Sequence, residues 1–234
     1  MLKKTLLFVF VALLLSSASF AQENQLKDHW QIGIGFGELP MHGSFKPSIT
    51  IGYYPYEKLY IGFTYQFKDR IQRNGTSFNA SSTGLDGLES AYEDVAQRFF
   101  IQGRYTPVKY GPYISFGIVY NGEDSETMEF DNRGRTIGGQ EYSGNIKINQ
   151  TREAGWGPAL GIGYQYDFDN VSLNAEWSPA WLNGIPEPEY KFSGTSNHSD
   201  DAKREISDKM TEEFKSSVTN LYKVFHIGVS YRIK

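Results

Sequence analysis

The chain has no cysteine among its 234 residues. That excludes disulfides, a cysteine-ligated metal and lipid attachment through an N-terminal cysteine. Histidine is nearly as scarce: His29, His42, His198 and His226 complete the set, and neither they nor the acidic residues fall at metal-ligand spacings. No metal and no cofactor is implied. Beyond residues 6–15 there is no long apolar run, so nothing after it can form a membrane-crossing helix. Positive charge is not in excess either. The formal charge is −4, and without Lys3 and Lys4 the balance is 21 basic to 27 acidic residues. Such a chain is a poor partner for nucleic acid.

The first 21 residues read as a secretory signal. Lys3 and Lys4 precede the apolar run at 6–15, and Ser19 and Ala21 stand at the −3 and −1 positions of a small-residue cleavage site. The run is too short to span a bilayer as an anchor. The expected division is a signal peptide at 1–21 and one domain at 22–234.

What the chain has in quantity is aromatics and glycine: 16 Tyr, 16 Phe and 24 Gly, with a mean hydropathy of −0.47. Their arrangement is informative. Eight segments alternate with period 2: 30–37, 47–54, 58–68, 97–106, 112–120, 156–166, 171–181 and 221–234. Strict alternation marks strands with two unlike surroundings. In the third segment Leu59, Ile61, Phe63, Tyr65 and Phe67 alternate with Tyr60, Gly62, Thr64 and Gln66. Only the fourth breaks the rule, at Phe100.

Connection lengths sharpen the reading. Strands two and three, four and five, and six and seven are joined by tight turns at 55–57, 107–111 and 167–170. Long polar connections at 69–96, 121–155 and 182–220 follow strands three, five and seven. Short links alternating with long ones, in an even-stranded set, predict an all-β fold: an eight-stranded antiparallel up-and-down transmembrane β-barrel with long extracellular loops. Both termini are then expected in the periplasm. Apolar rows would face lipid, and the Gly, Ser, Thr and Gln rows would fill a narrow lumen. Tyr53, Tyr54, Tyr56, Tyr105, Tyr166 and Phe168 would form one aromatic girdle, and Trp156, Trp177 and Trp181 the other. The competing architecture is a soluble lipocalin-like barrel, with the same apolar rows turned inward around a ligand.

The hairpins spanning 52–63 (GYYPYEKLYIGF) and 161–173 (GIGYQYDFDNVSL) resemble small outer-membrane β-barrels of the OmpX and OmpA-membrane-domain type. The Ser-Phe-Ala-Gln end of the signal is similar to that of exported Bacteroidota proteins. The resemblance implies a cell-outer-membrane location and specifies fold, not activity. One departure stands out. Many such barrels end on an aromatic residue, whereas this chain ends Tyr231-Arg232-Ile233-Lys234.

Charges on the inward rows are the candidate site. Arg98, Arg104, Glu176, His226 and Arg232 are expected to form a lumenal polar network, since buried charges must be paired. His226 is the neighbouring-strand partner expected for Glu176; Arg98 or Arg104 would have to reach it across the lumen. The same residues could instead line a gate or a narrow channel. For acyl chemistry a serine held by a histidine is needed. His226 and Ser230 stand two strand steps apart, and Asn197-His198-Ser199 lies in a loop; neither has the His-x-Ser spacing of outer-membrane deacylases.

In the loops, Glu123, Asp124, Glu126, Glu129 and Asp131 form an acidic run readable as a cation site or as a solvated hairpin. Ser199-Asp200-Asp201 predicts the cap of a helix carrying Ile206, Met210 and Phe214. Leu85, Leu88, Tyr92 and Val95 suggest another short helix. The functional expectation is a non-enzymatic, monomeric surface, structural or assembly component. It would contact outer-membrane lipid and lipopolysaccharide, and a protein partner through its loops. The alternatives are a lipid-A-modifying enzyme and a narrow channel.

Overall fold

The structure is a computed structural model that describes residues 26–37, 45–73, 75, 77–107, 111–180, 186–216 and 222–234, the side chain of Tyr222 excepted. The expected signal peptide, His42 and Trp181 lie outside the described residues.

Eight strands close into an antiparallel barrel. Numbered in chain order with the other strands, they are β1 (Trp30–Phe36), β2 (Pro47–Tyr56), β3 (Leu59–Gln66), β6 (Arg98–Tyr105), β7 (Pro112–Asn121), β12 (Gly155–Phe168), β13 (Val171–Ala180) and β15 (Tyr222–Ile233). They run β1-β15-β13-β12-β7-β6-β3-β2 around the wall, and β1 pairs with both β2 and β15 to shut it. Two-residue turns at Glu57-Lys58 and Asp169-Asn170 join β2 to β3 and β12 to β13, with Asp169 at a φ of 48°.

The alternation is resolved in favour of an apolar exterior. Ile34, Ile101, Trp156 and Ile162 are each more than 60% exposed, and Ile32, Ile51, Ile61, Ile118, Leu173, Trp177 and Val229 also face out. Ser48, Thr64, Gln66, Gln102, Ser115, Ser178 and Ser230 point inward and are buried. This is the inverse of a lipocalin, so the soluble-barrel alternative fails. A continuous belt of this size is far beyond what a water-facing surface tolerates and suits hydrocarbon.

One side chain sits on the opposite face from the one expected. Tyr54 is inward and 4% exposed, so it belongs to the lumen and not to the girdle. Phe100 keeps the register, opposite Thr64 and Val119, and simply places an aromatic ring inside.

The long connections fold into a second layer above one end of the barrel. Strands β4 (Asp69–Arg73), β5 (Leu88–Val95), β8 (Asp124–Phe130), β11 (Ile146–Arg152) and β14 (Glu189–Gly194) form one antiparallel sheet in the order β14-β11-β8-β5-β4. A hairpin of β9 (Arg135–Ile137) and β10 (Gln140–Tyr142) turns on Gly138 and Gly139, both at positive φ. Helices α1 (Phe78–Ser82) and α2 (Asp200–Ser216) complete the dome. The helix expected around Leu85–Val95 is not there. Residues 88–95 are strand β5, whose Ala91 and Val95 face inward; a short apolar run satisfies either period, and pairing with β4 and β8 decides it.

The dome has its own core. Ala91, Met128 and Ile148 share one register row, Phe130 and Ile146 pair beside it, and Ala202, Ile206 and Met210 of α2 pack onto them with Ala80 and Ile137. Four links between barrel and dome are two residues long: 67–68, 96–97, 122–123 and 153–154.

Candidate functional site

The lumen is narrow enough that side chains fill it. Its middle is occupied by one ion pair: Arg104 Nη2 lies 3.0 Å from Glu176 Oε2, both side chains almost wholly buried. Glu176 also accepts hydrogen bonds from Tyr113 (3.0 Å) and Ser178 (2.7 Å). Arg104 donates through Nε to Gln102, which donates in turn to Thr64. The guanidinium is held over two rings, 4.8 Å from the Tyr60 centroid and 5.1 Å from that of Tyr113. A desolvated cation gains from both faces.

Glycine makes room for these rings. Gly52 and Gly62 are cross-strand partners, and a Cβ on either would come within 2.4 Å of Tyr60 ring or hydroxyl atoms. A Cβ on Gly163 would sit 2.2 Å from Tyr113 Cζ. Several glycines opposite the apolar rows are thus counterparts of large inward tyrosines.

The other inward charges form separate stations. Toward the turn end, Arg232 bridges Asp167 at 2.7 Å and bonds the Asp169 carbonyl, while Ser172 and Gln165 also donate to Asp167. At the dome end Arg98 donates to Asn121 (2.6 Å) and to the Lys223 carbonyl (2.8 Å). His226 is the register partner of Glu176, yet its Nδ1 lies 3.0 Å from Ser48 Oγ, while Glu176 turns to Arg104. The direct Glu176–His226 pair is therefore corrected to an Arg104–Glu176 pair. Neighbouring strands share a face, but the guanidinium offers the charge that a buried carboxylate needs. Ser48–His226 is a hydrogen-bonded Ser–His contact, with both groups buried inside the lumen.

Above the ion pair Phe100, Val119, Ala159, Ala180 and Val224 form an apolar layer, each 5% exposed or less. Two buried layers of different chemistry thus lie in series. The tyrosines and the apolar layer were not singled out from sequence; the signal available was the inward position of Tyr54, Tyr60, Phe100 and Tyr113 in the alternation.

The dome rests on a polar collar. Asp124 takes hydrogen bonds from Asn121 and the Ala96 amide at 2.8 Å each and pairs with Arg152, whose guanidinium lies 5.9 Å from the Phe214 ring of α2. Burial acts to raise the Asp124 pKa, but Arg152 and Arg98 outweigh it and hold the carboxyl below its ordinary value. The acidic run is thus distributed among protein partners. Glu126 accepts from Ser77 and Asn79 at 2.5 Å each, tying down the capped start of α1, and Glu129 meets Lys147 at 2.8 Å. Among the described residues no His, Cys, Asp and Glu grouping could hold a metal ion.

At the apex, Arg135 donates to the carbonyls of Asp86 and Asp131 and to the Asp131 carboxylate. Hydrogen bonds from Arg133 bring Asp131 down to about 2. The hairpin is pinned to α2 by Tyr142, which stacks on His198 and bonds Ser199 at 2.8 Å. The opposite face of the dome sheet is polar, with the register row Gln72, Tyr92, Thr127, Asn149 and Lys191 across all five strands.

Known structures share this architecture. CarO2 of Acinetobacter baumannii matches 90% of this chain and 100% of its own, at 14% identity and a TM-score of 0.56. CarO of the same organism matches 89% of this chain and 99% of its own, at 15% identity and a TM-score of 0.53. The fold is theirs. A major outer membrane protein from Thermus thermophilus is a looser likeness, at 13% identity, a TM-score of 0.40 and coverages of 88% and 98%. No protein-family model and no curated protein sequence matches the chain.

Proposed function

We propose that this protein is an outer-membrane barrel that does not conduct, and that it works by presenting a folded dome at the cell surface to a binding partner. One observation carries the reading. The lumen is filled at two levels, by the Arg104–Glu176 pair between Tyr60 and Tyr113 and by the Phe100–Val119–Val224 layer, while the long connections form a sheet with a core of their own. A signal for export and the apolar belt support the location. The alternation of short links with the dome connections supports an outward dome and inward-facing termini. An assembly or structural role through a protein partner, lipid or lipopolysaccharide uses the same surfaces.

Planar-bilayer recording on the full-length protein tests closure. The wild type should give no steady conductance. The combined variant Arg104→Ala, Glu176→Ala, Phe100→Gly opens space at both levels and should conduct. Steady ion currents from the wild type would overturn the closed reading. Purification from native membrane in mild detergent, with mass spectrometry of what accompanies it, tests the binding role. A stoichiometric protein lost when the polar dome row is replaced supports that role, and a protein that always emerges alone overturns it.

A further inference from the structure

The outer wall carries a trough of about 770 Å³ that crosses five strands, β12, β13, β15, β1 and β2. Two register rows make its sides. One is Tyr166, Leu173, Val229, Ile34 and Ile49; the other is Tyr164, Ala175, Ile227, Phe36 and Pro47. Between them the floor is backbone at Asn174, Gly228, Gly35 and Ser48, whose side chains point inward or are absent. Here Ala175, between Leu173 and Trp177 on the same strand, lowers one side.

The dimensions select an occupant. Rows two residues apart are separated by about 7 Å, and five strands span about 19 Å. An α-helix, about 10–12 Å across, is too wide for a gap of this width. A single hydrocarbon chain fits both measures. Strands tilted by about 40° carry the trough up by about 12 Å, close to the depth of one leaflet of a ~30 Å hydrocarbon core.

The two ends differ. Phe36, Phe45 and Phe67 line the end toward the dome, with Phe36 and Phe45 stacked at 5.3 Å. Tyr164 and Tyr166 line the end toward the turns, where their hydroxyls suit an interface. A chain lying here therefore has its headgroup at the tyrosine end. We propose that this trough is a specific binding site for an acyl chain of a phospholipid from the turn-side leaflet. The proposal rests on the membrane-spanning reading above.

The test uses the full-length protein in vesicles of palmitoyl-oleoyl phosphatidylethanolamine and phosphatidylglycerol, released into mild detergent for native mass spectrometry. The wild type should retain one phospholipid. Ala175→Trp, which fills the trough, should lower that occupancy about tenfold, equivalent to ~1.4 kcal/mol. Ile118→Trp, outward on β7 and outside the trough, should leave it unchanged. Carbonate extraction of the vesicles before release reports membrane insertion of all three proteins separately, so a failure to insert overturns the membrane reading and not the site alone. No retained lipid on an inserted wild type, or retention unaffected by Ala175→Trp, overturns the site. So does a protein dimer in place of phospholipid.

Discussion

Arg104 and Glu176 stand on β6 and β13, two strands that are not neighbours in the wall, and their side chains meet across the lumen at 3.0 Å. Sheet hydrogen bonds join only adjacent strands, so this pair links the wall to its far side. It is enclosed by four side chains: Tyr113 and Ser178 donate to Glu176, Gln102 accepts from Arg104 Nε, and Tyr60 offers the guanidinium its ring face.

Removing one partner is expected to cost far more than removing both. Glu176→Ala leaves a buried guanidinium without its counter-charge and should destabilise the barrel by about 3–5 kcal/mol. The double variant Arg104→Met, Glu176→Leu should fall near the wild type, because neither desolvated charge remains. Urea unfolding in lipid vesicles, followed by tryptophan fluorescence, measures both. Equal losses would show that the charges do not act as a pair.

The glycines beside the lumenal tyrosines should be sensitive to size and rescuable from the other side. Gly163→Val places atoms where the Tyr113 ring lies, and overpacking of this kind costs about 1–3 kcal/mol. Adding Tyr113→Ala should restore folding, whereas Tyr113→Phe should not, since the ring and not the hydroxyl is in the way. Heat-modifiable migration on gels gives the folded fraction.

Dome and barrel cores share no residue, so they should be separable by mutation. Ile206→Asp buries an unpaired carboxylate among Met128, Ile148 and Met210 and should destabilise the dome by several kcal/mol, about 3–5. Limited proteolysis should then cut within 69–95 and 124–152 while the barrel band stays protected. Loss of both together would mean the barrel depends on the dome to fold.

The apex turn should loosen only in strong acid. Arg133 holds the Asp131 carboxyl at about 2, below the ordinary aspartate value near 3.9. The folded pKa is depressed, so the stabilisation is in full force above pH ~4 and is lost as pH falls through about 2. Carboxyl chemical shifts titrated by NMR should show this, and Arg133→Ala should move the midpoint up toward the ordinary value.

Much of the barrel could be read from residues alone because period-2 alternation is local and each strand carries it. All eight barrel strands were legible, and even the apparent exception at Phe100 kept the period. The lumen was legible only as a set of positions. Register places His226 opposite Glu176, but where a carboxylate turns depends on which cation reaches it, and Arg104 arrives from across the barrel. The dome was least legible. Residues 127–131 and 144–150 alternate enough to suggest strands, yet nothing local says that they pair with 69–73 and 88–95 to make a sheet. The helix at 200–216 was readable from its cap and from Ile206 and Met210. The strand at 88–95 was not, because Leu88, Tyr92 and Val95 are spaced as on a helix.

Each of four dome strands is separated from its barrel strand by only two residues, at 67–68, 96–97, 122–123 and 153–154. Four such short struts leave little freedom to swing or to rise. A partner seated on the polar row from Gln72 to Lys191 would be held at one height and one angle above the bilayer, and sideways force on that partner would be passed to the barrel as torque. The protein is mounted more like a fixed bracket than a tethered bait.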